Sequence, residues 1–165
     1  MATASLTPNN PWSPPFCTII SADTFNFSYR ACSLCERTLP EGDVPCPVCI
    51  HKTSSPPSKR LYRLLLSIAT ADKVIVVACF DRMARVLMGC SADELLGFFG
   101  AHRFAAEKAA EVLEGEMCKM TLKASAKGNA EHLRVVAVQP LRTGFRPVME
   151  TLRGIYGASA SNERR

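Results

Sequence analysis

Four cysteines stand in two Cys-x-x-Cys pairs, Cys32 with Cys35 and Cys46 with Cys49, inside the stretch YRACSLCERTLPEGDVPCPVC. A Cys-x-x-Cys segment makes a tight knuckle that turns two sulfurs toward one point. Two knuckles therefore supply four thiolates for a tetrahedral metal, and the direct reading is one structural zinc ion. The segment between them contains Pro40, Gly42 and Pro45, turn formers that can reverse the chain and bring the knuckles together. A redox dithiol, two disulfides and ordinary buried thiols are the rival readings. A redox motif needs one pair in a βαβ setting, which this pattern lacks. Disulfides need an oxidising compartment, and the first residues show neither the basic start nor the apolar core of a secretion signal. The other cysteines, Cys17, Cys79, Cys90 and Cys118, lie singly among apolar residues and read as small buried hydrophobes.

The elements that would carry this ribbon follow from patterning. The chain has 165 residues, 47% of them hydrophobic, enough for one domain with a packed core. Its longest apolar candidate, LYRLLLSIATADKVIVVACF, is interrupted by Arg63, Asp72 and Lys73, so no membrane span is expected. Residues 1–15 carry no charged side chain and are rich in Pro, Ser, Thr and Asn, which predicts a disordered arm. FCTIISADTFNFSYRAC reads as one strand running to the first knuckle, with Phe25, Phe27 and Tyr29 on one face. RLYRLLLSIAT and KVIVVACF form a hairpin about Ala71-Asp72. Asp81 is expected to cap a helix that leaves at Gly89. Ser91 and Glu94 form a capping box for a helical turn or two ending by Gly97 or Gly100. AHRFAAEKAAEVLEGE should be helical, EMCKMTLKAS and HLRVVAVQPL should be strands, and RPVMETLRGIYG a terminal amphipathic helix. A flexible tail is expected at 157–165. The fold class implied is mainly β with helices: an OB-type, five-stranded Greek-key barrel over residues 16–156, with a four-cysteine zinc ribbon at about 30–52 inserted after its first strand and a C-terminal helix.

These motifs resemble a known family, the C-terminal DNA-binding domain of the replication protein A large subunit. DTFNFSYRAC supplies Asp23, Phe25, Tyr29, Ala31 and Cys32 of the pattern before the first knuckle, with extra residues ahead of the tyrosine, and RLYRLLLSI is similar to the strand after the second. Phe80, Ala84, Gly89, Ser91, Ala92, Glu94 and Leu95 match the next motif, and Val135, Val136, Val138 and Pro140 the last. The resemblance covers roughly residues 16 to 156. It implies an OB barrel with a structural zinc ribbon, single-stranded DNA as ligand, and a nuclear, non-catalytic role in replication, repair or recombination. It also implies a terminal helix that joins partner OB-fold subunits, here through the stripe Val148, Met149, Leu152, Ile155 and Tyr156. Two departures weaken DNA binding: the chain holds one module where the family's large subunit has several, and KVIVVACF has an aliphatic run where related sequences often place a Trp.

Against that expectation each residue has a plainer alternative. Tyr29 and Tyr62 could stack on bases or simply pack. Arg30, Arg37, Lys52, Lys59, Arg60 and Arg63 surround the ribbon in sequence and could contact phosphates or only solvate it. Lys119 and Lys123, with Lys127, form a second basic line on the wet face of a strand. The net charge of +5 is compatible with a polyanionic partner without requiring one. His51, His102 and His132 are dispersed, and Asp93 and Glu94 are explained by the capping box. With no glycine-rich phosphate loop and no recognisable Ser-His-acid set, no enzyme is expected. The runner-up function is an assembly or adaptor subunit whose terminal helix binds proteins while DNA contact is weak or absent.

Overall fold

Period-two burial writes the barrel into the chain. In the computed structural model, which describes residues 16–124 and 132–163, the strands are β1 (Cys17–Ala22), β2 (Ser28–Cys32), β3 (Ser58–Ala69), β4 (Val74–Phe80), β5 (Met117–Lys123) and β6 (Leu133–Pro140). Leu64, Leu66 and Ile68 of β3 point inward and meet Val77 and Cys79 of β4, Cys118, Met120 and Leu122 of β5, and Val135 of β6. Burial pushes the thiols of Cys79 and Cys118 up to about 12 and raises that of Cys17, so all three behave as small core hydrophobes. The arm at 1–15 and Lys127 lie outside the described residues.

The strands pair in the order β1-β5-β6-β4-β3-β2, and an additional β1–β3 pairing closes β1, β3, β4, β6 and β5 into a ring. All pairings are antiparallel except β4 with β6. This closed five-strand ring is the OB-type barrel that the sequence predicts. The hairpin register, Ala69 opposite Val74, places the turn where it was expected, and Thr70 secures it by accepting the amides of Asp72 and Lys73.

One departure concerns the first strand. It does not run unbroken to the knuckle: Asp23 turns its carboxylate back onto the amides of Phe25 and Asn26, both at 3.1 Å, and the chain kinks between β1 and β2. Phe25 consequently faces solvent while Phe27 is buried, so the two do not share a face. β2 then lies against the first half of the long β3, Tyr29 opposite Leu61 and Arg30 opposite Arg60. The sheet thus has a sixth strand beside the ring, and it carries the ribbon.

Three helices sit between β4 and β5: α1 (Asp81–Met88), α2 (Ala92–Ala101) and α3 (Ala105–Leu113). Phe80, not Asp81, is the cap residue of α1; the Asp81 carboxylate instead accepts the Tyr62 amide at 3.3 Å and Arg85 Nε at 2.9 Å. Ser91 caps α2 as expected, accepting the Glu94 amide at 3.1 Å. The helix nevertheless runs past both Gly97 and Gly100, because Leu95 is buried and Phe99 sets its edge on the ring of Phe27, 5.5 Å between centroids. The terminal helix α4 (Val148–Glu163) extends beyond the expected end at 156.

Candidate functional site

The knuckles lie where β2 ends. The Cys32 amide bonds to the Arg37 carbonyl and the Glu36 amide to the Cys32 carbonyl, which folds the first knuckle tightly enough to hold Glu36 at φ 60°. The second closes through a short turn, Cys49–His51, with the Ile50 amide on the Cys46 carbonyl. One sulfur each from Cys32, Cys35, Cys46 and Cys49 falls within 4.8 Å of every other, and Cys35 Sγ and Cys46 Sγ are 3.7 Å apart. Tetrahedral thiolates around a metal at about 2.3 Å stand about 3.8 Å from one another, so this geometry fits a metal ion. The local field also suits thiolates. Amides of Cys35 and Leu34 draw the Cys32 thiol down to about 6, and those of Cys49 and Val48 lower that of Cys46. Burial and the three neighbouring sulfurs push Cys49 the other way, to about 12, the opposition expected of four thiols that share one small volume.

The ribbon has a minimal core of its own, Cys32, Leu39, Cys46 and Cys49, and is clamped to the barrel by arginines. Arg60 grips Glu41 through both terminal nitrogens, at 3.0 and 2.9 Å, and bonds the hydroxyl and carbonyl of Ser28. Its amide donates to Asp93 at the start of α2. Arg30 reaches the carbonyls of Pro40 and Val44, and Lys59 pairs with Glu36 at 2.7 Å. Three of the cations expected to face phosphates are therefore engaged in positioning the ribbon. Arg37 and Lys52 are exposed on the ribbon itself.

A second set of expected residues gathers on the outer face of the sheet. Residues directly opposite on paired strands share a face. Tyr29 lies across from Leu61, and Arg63, two residues on, lies across from Phe80. Ala78 pairs with Arg134, and Arg134 with Lys123; four residue pairs along the same ladder, Lys119 lies opposite Gln139. On β3, β4, β5 and β6 the alternating residues are buried, and the pairing of Tyr29 with Leu61 carries the same face onto β2, so Tyr29, Arg63, Phe80, Arg134, Lys123 and Lys119 form one band across β2, β3, β4, β6 and β5. Partial burial and the nearby Asp81 and Glu36 carboxylates raise the Tyr29 phenol and keep it neutral. Phe80 and Arg134 are additions to the sequence reading. The period-two alternation of VACF and LRVV held the signal, since Cys79 and Val135 point inward and their neighbours must point out.

Two expectations fail. Tyr62 is completely buried: its hydroxyl donates to the carbonyls of Cys90 at 3.1 Å and Ser91 at 3.2 Å, and it cannot meet a base. Its place on β3, in phase with Leu64 and Leu66, sends it into the core. The stripe on α4 is also largely spent within the chain. Val148, Met149 and Leu152 are buried against the barrel, and Tyr156 packs on Phe98 and His102 with its hydroxyl on the Arg103 carbonyl. Ile155 alone of the five is exposed.

Comparison with solved structures finds the same architecture in a chain of yeast RPA bound to ssDNA, with TM-score 0.63 and 16% identity over 96% of this chain and 90% of that one. A chain of a replication protein A heterotrimer bound to ssDNA is similar at TM-score 0.62 and 16% identity, over 94% of this chain and 35% of its own length. Comparison with curated proteins finds no match. Residues 14–142, which take in the knuckles, the whole barrel and all three internal helices, match the profile described as the replication factor-A C terminal domain, and the chain belongs to that family.

Proposed function

We propose that this chain is a non-catalytic single-stranded DNA-binding module whose outer sheet face holds the strand. The observation that carries the reading is the band itself: Tyr29 and Phe80 offer ring faces, and Arg63, Arg134, Lys119 and Lys123 offer cations, all on one side of the sheet. Stacking tolerates any base and the cations neutralise phosphates, a combination that reads single strands without sequence. The ribbon, held by Arg60 and Arg30, forms a wall at one end of this band, with Lys52 and Arg37 on its surface. Its metal is zinc, one per chain: an all-thiolate tetrahedral donor set suits that ion, and a closed shell makes the role structural.

A role in replication, extending to repair and recombination, and a nuclear location are part of the same proposal, supported by membership in the replication factor-A C-terminal family. Other OB-fold subunits are the proposed protein partners, supported by the heterotrimer among the similar structures. They would meet the exposed side of α4, which carries Ile155.

The test is a fluorescence-anisotropy titration of zinc-loaded protein with labelled oligo-dT and a duplex control, across a salt series. Single-strand preference is expected, with log K falling against log salt by about 0.7 for each phosphate neutralised. Arg134→Ala should weaken binding and flatten that slope by about one phosphate. Equal affinity for duplex, or no binding at low salt by folded, metal-replete protein, would overturn the proposal.

A further inference from the structure

Away from the basic band, the kink between β1 and β2 and the corner between α2 and α3 enclose a groove of about 320 Å³. Phe25, Leu96 and Phe104 stand on its rim, exposed at 74%, 44% and 62%, and Phe27 and Phe99 line it. These rim residues are held in place by specific structure. Phe25 is set by the Asp23 turn; Thr24, beside it, is buried and donates to the Ala106 carbonyl at 2.6 Å, tying the kink to α3. Phe104 is a non-glycine residue in the left-handed region, at φ 65°, and the Arg103 guanidinium lies 5.0 Å from its ring centroid. A strained, solvent-facing phenylalanine gives the isolated chain no core packing in return for its conformation.

The charge at the groove distinguishes it from the sheet face. Glu107 and His102 line it and Asp23 borders it, the Arg103 guanidinium lies against Phe104 at one edge, and none of the cations of the outward band takes part. An aromatic floor with Glu107 on its lining suits an apolar anchor carried next to positive charge. We infer that the groove docks a short segment of another protein, built on one aromatic or leucine anchor flanked by lysine or arginine. The anchor enters between Phe25, Leu96 and Phe104, and the flanking cation faces Glu107. This inference draws on a different surface from the proposed DNA contacts and stands or falls separately from them.

The test is selection of a random-peptide display library on the zinc-loaded full chain at near-physiological salt, followed by titration of the enriched peptides as synthetic probes. The expected peptides carry an aromatic residue or leucine beside Lys or Arg. Their binding should be lost in Leu96→Asp and weakened about twofold to fivefold in Glu107→Lys, the range of a single exposed charge pair. Both positions are exposed, and circular dichroism of each variant separates loss of docking from loss of fold. Oligo-dT affinity should be the same in wild type and both variants. A library that yields no enriched peptide, peptides that bind Leu96→Asp as well as wild type, enrichment of acidic flanks, or displacement of the peptides by oligo-dT would each overturn the inference.

Discussion

Arg60 closes both of its terminal nitrogens on the Glu41 carboxylate, at 3.0 and 2.9 Å, while its amide holds Asp93 on the other side of the same strand. One residue of β3 thereby connects the loop between the knuckles to the first turn of α2. The bidentate fork fixes direction as well as distance, which a lysine could not do. Glu41 is largely exposed, so solvent screens the pair. A double-mutant cycle of Arg60→Ala and Glu41→Ala should return a coupling of about 0.5–1 kcal/mol in thermal unfolding, not the several kcal/mol of a buried pair. Coupling indistinguishable from zero would mean that the clamp does not hold in solution.

Removing the metal should separate ribbon from barrel. The ribbon's own buried cluster contains three ligand cysteines and Leu39, too little apolar area to persist alone, whereas the barrel core is a distinct cluster of aliphatic residues. In zinc-finger peptides the ion supplies about 10–16 kcal/mol of apparent binding free energy, far beyond what one leucine contributes. Chelation, or Cys46→Ser, should therefore abolish amide-exchange protection within 33–53 while most barrel amides keep theirs. Loss of protection throughout both regions together would show that the ribbon is integral to the barrel's stability.

How far the sequence could be read depended on whether the signal was local. The paired Cys-x-x-Cys spacing, the Ser91–Glu94 box and the β3–β4 hairpin are decided within a few residues, and each stands where its pattern put it. The break after β1 has only a weak signal, an aspartate two and three residues ahead of the Phe25 and Asn26 amides inside a β-branched and aromatic run that otherwise reads as strand. Tyr62 and the α4 stripe depart from expectation for another reason. Type and periodicity say that a face is apolar, but only the closed barrel decides whether that face meets a partner or its own core. Arg30 and Arg60 show the same limit for charge, since their carboxylate and carbonyl partners lie ten or more residues away in sequence.

Gly89 and Gly97 should respond to alanine in opposite directions. Gly89 ends α1 at φ 73°, and a Cβ there would fall 2.4 Å from Pro147 Cβ, just ahead of α4. The left-handed conformation costs an alanine about 1–2 kcal/mol before any clash. Because Pro147 is rigid, relief must come from moving α4. Gly89→Ala is expected to lose about 2 kcal/mol or more, a fall in Tm of at least about 4–8 °C. Gly97 lies within α2 with open space where its Cβ would go, and Gly97→Ala should gain about 0.5–1 kcal/mol from helix propensity. Calorimetry on the two variants tests both signs.

The sharpest division between core and surface lies on two neighbouring strands, at Tyr62 and Phe80. Tyr62→Phe removes a hydroxyl that donates to the Cys90 and Ser91 carbonyls in the core, where nothing replaces it. It should cost about 1–2 kcal/mol of stability and leave oligo-dT affinity unchanged. Phe80→Leu keeps an apolar side chain over the barrel but removes the ring face that lies beside Arg63 on the outer sheet. Base stacking is worth about 1–3 kcal/mol per base, so this variant should bind oligo-dT at least about fivefold more weakly while melting within a few degrees of wild type. The two variants must therefore move different observables. If Tyr62→Phe weakened DNA binding at full stability, the tyrosine would have to reach the strand. If Phe80→Leu bound as tightly as wild type, the outer face would lose its principal aromatic platform and binding would rest on Tyr29 and the cations alone.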